Sequence, residues 1–151
     1  MSQTLLVGNK APSFTAKNEK GEMVSLTDYK GKKLVLYFYP KDDTPGCTAE
    51  SCNLRDNYKT LLQKGYEVLG VSPDTELKHQ KFIAKYNLPF SLLADTDNAI
   101  ALSYNVWVEK NMYGRTYMGI ARTTFIINEE GMIEEIISKV DTNNHTDQIL
   151  K

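Results

Sequence analysis

The sequence predicts an α/β fold: a mixed central sheet with a parallel core, helices on both faces and a small β-hairpin ahead of it. Three observations carry this. Residues 34–39 and 66–72 are continuous apolar, β-prone runs without polar alternation, the pattern of strands covered on both faces. Each is followed by a segment whose apolar residues recur at helical spacing. The last third changes to two β-prone runs around Glu129, Glu130 and Gly131, a tight-turn hairpin pattern. Strand–helix alternation that ends in a hairpin implies parallel central strands with antiparallel neighbours.

Taken in order, residues 8–16 read as a lead-in and an edge strand, with Pro12 suited to a strand start. The polar turn Asn18–Gly21 returns the chain into residues 22–26, completing the N-terminal hairpin. Residues 27–31 form one helical turn stopped by Gly31. The run 34–39 is a buried strand ended by Pro40. Residues 47–65 are a helix with Leu54, Tyr58, Leu61 and Leu62 at helical spacing and Gly65 as its stop. After the strand 66–72, Asp74 or Ser72 caps a helix over 76–86, with Leu77, Phe82, Ile83 and Tyr86 as its apolar stripe and Lys78, Lys81 and Lys85 facing water. Residues 89–95 are a third strand, and Asp97 or Thr96 caps a short helix through Ala99, Ala101, Leu102 and Tyr104. Residues 106–118 read as a mixed aromatic and polar loop, in which Trp107 and Tyr113 either cap a pocket or cover the core. Strands over 120–128 and 132–140 form the late hairpin, and a terminal helix begins at 143–145. The sequence contains no internal repeat, low-complexity segment or linker, so residues 1–151 read as a single domain.

Composition excludes several classes of function. A hydrophobic fraction of 41% and a charged fraction of 25% are ordinary for a globular protein. A net charge of -1 gives no electrostatic case for nucleic acid or an anionic membrane. The apolar runs are too short to span a bilayer. Residues 1–7 lack the basic region and apolar core of a secretory signal, so a cytoplasmic, reduced setting is expected. Two cysteines make no disulfide scaffold and are too few for a typical four-ligand structural zinc site, and the two histidines lie far from them in sequence. His79 falls on a polar helix face and His145 at a helix start, both read as surface residues. Asp42 and Asp43 read as solvated loop charges. No metal, flavin, haem or nucleotide motif is present.

The informative stretch is residues 40–52, a Pro/Gly-rich turn between a buried strand and a helix. That order puts Cys47 at a helix start, where free N–H groups and the positive end of the dipole favour an anion. The reactive form of cysteine is such an anion. Cys52 follows five positions later, which suggests a redox-active cysteine with a resolving partner. Position alone leaves Cys52 also readable as a helix-face core residue, and Arg122 as a surface arginine in an ion pair.

Pro40, Thr44 and Cys47 stand in the spacing Pro-x-x-x-Thr-x-x-Cys, which resembles the active-site signature of the peroxiredoxins. The resemblance extends to Gly8, Pro12 and Phe14 in the lead-in, to the first core strand from Gly31 to Pro40, and to Arg122, Thr124, Phe125, Gly131 and Ile133 later on. Cys52, five residues after Cys47, is similar to the peroxiredoxin Q, or bacterioferritin comigratory protein, subgroup. The resemblance implies a thioredoxin-like fold and reduction of hydrogen peroxide and organic hydroperoxides with electrons from thioredoxin or a similar dithiol. It also favours a monomer with no cofactor.

On this reading Cys47 is the nucleophile. Its product is a sulfenic acid, for which Cys52 is the candidate resolving thiol within the chain. Arg122, by resemblance, supplies a guanidinium that favours the thiolate, since a free cysteine titrates near about 8.5. The Thr44 hydroxyl can hold a peroxide oxygen, and the N–H groups of Gly46 and Cys47 can face the developing charge. Gly46 allows close backbone approach, and Pro40 shields the sulfur without offering a competing donor. Glu50 matches a family position and is expected to organise Arg122 or a neighbouring backbone rather than to transfer protons. Five residues along an intact helix separate Cα atoms by roughly 8–9 Å, beyond the disulfide limit of about 7 Å. A Cys47–Cys52 bond therefore requires local unwinding. The competing functions are a thiol-disulfide oxidoreductase, disfavoured because four residues rather than two separate the cysteines, and a thiol-based redox sensor or holdase.

Overall fold

The structure, a computed structural model, describes residues 5–151, so the first four residues of the amino-terminal stretch read above lie outside it. The chain opens with the antiparallel pair β1 (Thr15–Lys17) and β2 (Met23–Ser25) and a 3-10 turn, Leu26–Tyr29. Then follow β3 (Lys33–Phe38), α1 (Pro45–Asp56), α2 (Tyr58–Gln63), β4 (Tyr66–Ser72), α3 (Glu76–Tyr86), β5 (Ser91–Ala94) and α4 (Ala99–Ser103). The chain closes with β6 (Trp107–Met112), β7 (Arg115–Ile120), β8 (Thr123–Ile127), β9 (Ile133–Ile137) and α5 (His145–Leu150). Five strands form the central sheet in the order β5-β4-β3-β8-β9. The first three are parallel, and β8 and β9 run antiparallel to their neighbours.

The unbroken apolar run of β3 is explained by its place in the middle of the sheet. Leu34, Leu36 and Phe38 enter a core with α4 and the N-terminal hairpin on one face. Val35, Tyr37 and Tyr39 enter a second core with Leu54 of α1, Leu61 of α2, Phe82 of α3 and Ile149 of α5 on the other. Gly70 on β4 makes room for this second layer: a Cβ there would lie 2.6 Å from Leu92 Cδ2 and 2.9 Å from Tyr37 Cζ. Tyr37 can therefore lie flat against β4, and its hydroxyl shares a 2.9 Å hydrogen bond with Ser51 on α1. This is how the sheet holds the helix that carries both cysteines.

Several elements differ from the sequence expectations. The helix expected over 47–65 begins at Pro45 and divides at Asn57 into α1 and α2. Residues 106–118 form the hairpin β6–β7 rather than a loop, turning at Tyr113 (φ 54°) and Gly114 (φ 80°), two left-handed residues in succession. That is the backbone of a hairpin turn, but Tyr113 is not a residue type that advertises one. Tyr113 is 97% exposed at the tip and caps nothing, whereas Trp107 packs against the core. Thr75, not Asp74 or Ser72, caps α3 by accepting from the Lys78 N–H. Asp95 rather than Thr96 accepts from the N–H groups of Ile100 and Ala101 at α4, while Asp97 accepts from Ala99.

The α3 stripe also needs correcting. Residues 79, 82, 83 and 86 share one face at 100° per residue, whereas 77 lies about 140° from 82. Leu77 is accordingly exposed and His79 buried. His79 Nδ1 lies 2.6 Å from Asp42 Oδ2, and His79 Nε2 lies 2.8 Å from the Leu93 carbonyl oxygen. The Tyr39 hydroxyl donates to Asp42 Oδ1 at 2.6 Å. Asp42 is therefore a buried anchor of the turn after β3, not a solvated charge, and only Asp43 faces water, paired with Lys85. Among the described residues, no helix is long and apolar enough to cross a membrane.

Candidate active site

β3 ends at Phe38, and the turn that follows delivers the chain to α1 under two constraints. Pro40 is half buried at its head, and Asp42 N–H donates to Asp74 Oδ2 at 2.7 Å. Thr44 is the extended residue before the helix and Pro45 its first residue, where the missing N–H costs nothing. The Thr44 hydroxyl does not cap the helix; it donates back to the Lys41 carbonyl at 2.8 Å, leaving its lone pairs available. The first helical bond runs from Thr48 N–H to Thr44 C=O at 2.8 Å. The N–H groups of Gly46 and Cys47 thus have no acceptor inside the helix. Cys47 sits in this first turn and is buried, 1% exposed.

Arg122 approaches from the two-residue connection between β7 and β8 rather than from a strand. Its Nη2 donates to Cys47 Sγ at 3.2 Å and its Nη1 to Glu50 Oε1 at 2.7 Å. One guanidinium thus spans a sulfur and a carboxyl placed one helical turn apart on α1. Burial lowers the Arg122 pKa, but Cys47 and Glu50 more than offset this and raise it above its ordinary value. Gly46 leaves room for this arginine: a Cβ there would lie 3.1 Å from Arg122 Nη2.

Glu50 is fully buried, and burial pushes its carboxyl up to about 7 against the lowering effect of Arg122. Its Oε2 lies 3.5 Å from Nε2 of His145, which is also fully buried and shares a 2.7 Å hydrogen bond with the Thr124 hydroxyl. His145 is therefore the fourth member of this cluster, not the surface residue that its position in a short terminal helix suggested. Burial lowers its pKa. Nothing in local periodicity marks it, because α5 is only six residues long.

Cys52 is part-buried on α1, and both cysteines are free thiols. It lines a shallow depression of about 400 Å³ with Thr44, Pro45, Thr48 and Tyr86. Burial raises the Cys52 thiol pKa, partly offset by Arg55. The structure thus brings Cys47, Arg122 and Glu50 together behind the Thr44 turn, and leaves Cys52 five residues away on an intact helix. A second cleft, about 370 Å³ between Phe14, Leu26 and Ile127, lies at the far end of β3 and takes no part in the site. Among the described residues, no group of three or more His, Cys, Asp or Glu side chains is placed to hold a metal ion.

A buried cysteine at a helix N-terminus, hydrogen-bonded to a guanidinium beneath a thioredoxin-like sheet, is an arrangement suited to a thiol peroxidase. Comparison with known proteins agrees. The AhpC/TSA family model matches residues 7–136. A bcp-type peroxiredoxin sequence from Coxiella burnetii is 53% identical over 144 residues, covering 95% of each chain. A cysteine-to-serine mutant of Xylella fastidiosa PrxQ superposes with a TM-score of 0.91 at 32% identity, covering 98% of this chain and 94% of that one. The Xanthomonas campestris bacterioferritin comigratory protein, solved as trapped intermediate and ligand complexes bearing on its alkyl peroxide reduction activity, gives 0.86 at 36%, covering 91% and 87%. The chain belongs to the AhpC/TSA family and, within it, to the peroxiredoxins of the Bcp or Q type.

Proposed function

We propose that the protein reduces hydrogen peroxide and organic hydroperoxides through Cys47, that Cys52 resolves the oxidised sulfur within the same chain, and that a thioredoxin or similar dithiol restores both thiols. The observation that carries this reading is the 3.2 Å contact from Arg122 Nη2 to Cys47 Sγ in the first turn of α1. A guanidinium is charged at any working pH, and its hydrogen bond is strongest to a thiolate. The thiolate attacks one peroxide oxygen, the S–O bond forms, the O–O bond breaks, and the other oxygen leaves with the electron pair. The free N–H groups of Gly46 and Cys47 and the Arg122 fork are the donors that stabilise that charge. Thr44, its hydrogen already committed to Lys41, accepts from the hydroperoxide O–H. Pro40, without an N–H, borders the site and offers no competing donor. The alkyl peroxide activity of the Xanthomonas relative supports organic hydroperoxides as substrates.

The sulfenic acid on Cys47 then condenses with Cys52 and releases water. Along α1 the two Cα atoms stand roughly 8–9 Å apart, so the bond forms only when the first turns unwind. The depression lined by Cys52, Pro45 and Tyr86 is where the unwound disulfide meets its reductant. An in-chain resolver fits a monomer, a single domain over residues 1–151 and a reducing cytoplasm. The test is NADPH oxidation in the presence of thioredoxin, thioredoxin reductase and peroxide. Cys47→Ser is expected to abolish it. Cys52→Ser keeps the first peroxide reduction and loses recycling, and full turnover by Cys52→Ser overturns the assignment of the resolver.

A further inference from the structure

Glu50 and His145 are buried titratable groups whose protons the peroxide chemistry above does not use. Glu50 Oε1 accepts from Arg122, while Oε2 has no hydrogen-bond partner among the described residues and faces His145 Nε2 at 3.5 Å. The histidine tautomer follows from its neighbours. Gln148 Nε2 donates to the Lys139 carbonyl at 2.9 Å, and Gln148 Oε1 accepts from the Asp141 N–H at 2.9 Å, which fixes the amide orientation. That oxygen, 2.8 Å from His145 Nδ1, must also accept there, so Nδ1 carries the hydrogen. The neutral ring then has only a lone pair at Nε2, which takes the Thr124 hydroxyl hydrogen at 2.7 Å. A neutral His145 thus offers Glu50 Oε2 no donor. A carboxylate would leave that oxygen bare in a dry site, whereas protonation of the carboxyl removes the charge that would stand there unpaired.

We propose that Glu50, backed by His145 as a positioning residue, is a redox-linked proton carrier: its carboxyl is protonated while Cys47 is a thiolate against Arg122, and it ionises when that sulfur becomes neutral. The argument rests on the reading of Cys47 given above, and on charge. One guanidinium faces two acids. In the reduced protein the thiolate supplies the single compensating charge, and a second buried anion on the same fork is unfavourable. After oxidation the sulfur is neutral and Glu50 is the remaining counter-ion. The charged and titratable groups around the carboxyl are Arg122, Cys47 of its own helix, Tyr37 on β3 and His145 on α5, with Asp141 acting on His145. Burial raises Glu50 and lowers His145, so the proton of this pair resides on the carboxyl.

The proton balance gives this a consequence. One thiolate, one thiol and a hydroperoxide yield the disulfide, an alcohol and hydroxide. The two sulfurs lose one electron each, the peroxide gains two, and the hydroxide takes up one proton to become water. Ionisation of Glu50 releases one proton to the medium, so oxidation is nearly proton-neutral wherever Glu50 begins protonated. Glu50 Oε2 faces His145 on α5 rather than the Cys47 sulfur, so the released proton is not placed to pass to the departing oxygen.

The experiment mixes reduced protein with one equivalent of hydrogen peroxide in weakly buffered solution containing a pH indicator. Remaining thiols and peroxide are counted in the same sample. With both thiols lost, wild type is expected to take up far less than one proton at pH 6, below the carboxyl's value of about 7, and close to one at pH 8, whereas Glu50→Gln takes up about one at both. His145→Gln, whose amide can donate to Oε2, is expected to move the midpoint to lower pH, which a merely structural role would not do. An unmoved midpoint in a folded variant removes His145 from the proposal. The wild-type oxidised-minus-reduced infrared spectrum at pH 6 should lose a protonated-carboxyl carbonyl band, a readout that needs no variant to fold. A full proton taken up by wild type at pH 6, none taken up by Glu50→Gln, or no lost carboxyl band overturns the proposal. Peroxide consumed without loss of both thiols instead overturns the resolving role of Cys52.

Discussion

Removing the charge on Arg122 tests the site most directly. Arg122→Met keeps much of the stem and deletes both contacts, 3.2 Å to Cys47 Sγ and 2.7 Å to Glu50 Oε1. At 3.2 Å and an effective dielectric of about 20, a full charge pair is worth about 5 kcal/mol. The guanidinium side chain is 23% exposed, and solvent screening discounts that to roughly 2–3 kcal/mol. At about 1.4 kcal/mol per decade, the thiolate contact alone accounts for about a hundredfold in the second-order rate constant with peroxide. The fork also faces the developing oxyanion, and loss of one such donor commonly costs a further factor of about 10²–10³. Because the two effects share one group and do not add fully, the expected loss is about 10²–10⁴. Stopped-flow oxidation of the reduced protein under single-turnover conditions reads it without the reductase. Arg122→Lys, which keeps the charge but not the fork, is expected to fall between. A rate within about threefold of wild type for Arg122→Met, with the fold intact, refutes the assignment. Gly46→Ala supplies a graded version, since its Cβ would lie 3.1 Å from Nη2 and push the guanidinium away by a few tenths of an ångström, for an expected severalfold loss.

Stability should depend on pH through two groups of opposite sign. Glu50 is raised to about 7 from an ordinary value of 4.5, so its contribution is fully present below about 4.5 and is lost as pH rises through about 7, on the order of 3 kcal/mol. His145 is lowered, so the unfolded ring takes the proton first and stability falls as pH drops below about 6.5. Urea melts of reduced Glu50→Gln should therefore keep only the loss at low pH, and an unchanged loss toward pH 8 contradicts this. Ser51→Ala strands the buried Tyr37 hydroxyl and should cost about 1–3 kcal/mol in urea melts, yet speed disulfide formation after oxidation, because that hydrogen bond is lost on unwinding in any case. A slower disulfide step in rapid-quench mass analysis counts against unwinding. Tyr113→Asn should raise stability by about 1 kcal/mol in the same melts, since asparagine tolerates the left-handed backbone at φ 54° better than tyrosine, with peroxidase activity unchanged.

The legible parts of this chain were those whose signal is local. A central strand is apolar on both faces because both faces are covered, and β3 declares this by itself. The turn that presents Cys47 is written in consecutive residues, so the placement of that cysteine at a helix start could be read directly. Arg122 could be placed only by resemblance, since no periodicity says that the link between β7 and β8 passes over the start of α1. His145 left still less trace: its role arises from a six-residue helix docked by tertiary contacts. The missed β6–β7 hairpin has the same origin, because Tyr113 occupies a backbone region normally announced by asparagine or glycine. His79 is different. Its spacing to Phe82 and Tyr86 was visible, and assigning it to solvent put residue type ahead of period.

On the proposed mechanism α1 must hold Cys47 and then release it, and the anchors of the helix divide accordingly. Thr44, Gly46 and Cys47 occupy the end of α1, where backbone groups are unpaired and fraying costs least. Glu50 and Ser51 are its innermost polar contacts, tied to Arg122 and Tyr37. Beyond them Asn53 takes the Thr146 N–H at 2.8 Å and donates to the Asn143 carbonyl at 2.9 Å, which clasps the middle of α1 to the start of α5. Arg55 donates to the Tyr86 carbonyl at 2.7 Å, and the helix then breaks at Asn57. Unwinding that starts at Pro45 would therefore meet its strongest resistance at 50–53, just where Cys52 would come free if it resolves Cys47. If Glu50 ionises on oxidation, the carboxylate strengthens its hold on Arg122 but also gains most from reaching water. On the proposed mechanism the balance of these two tendencies sets how long a Cys47 sulfenic acid stays enclosed, and therefore how far a second peroxide would carry it toward the sulfinic state before Cys52 arrives.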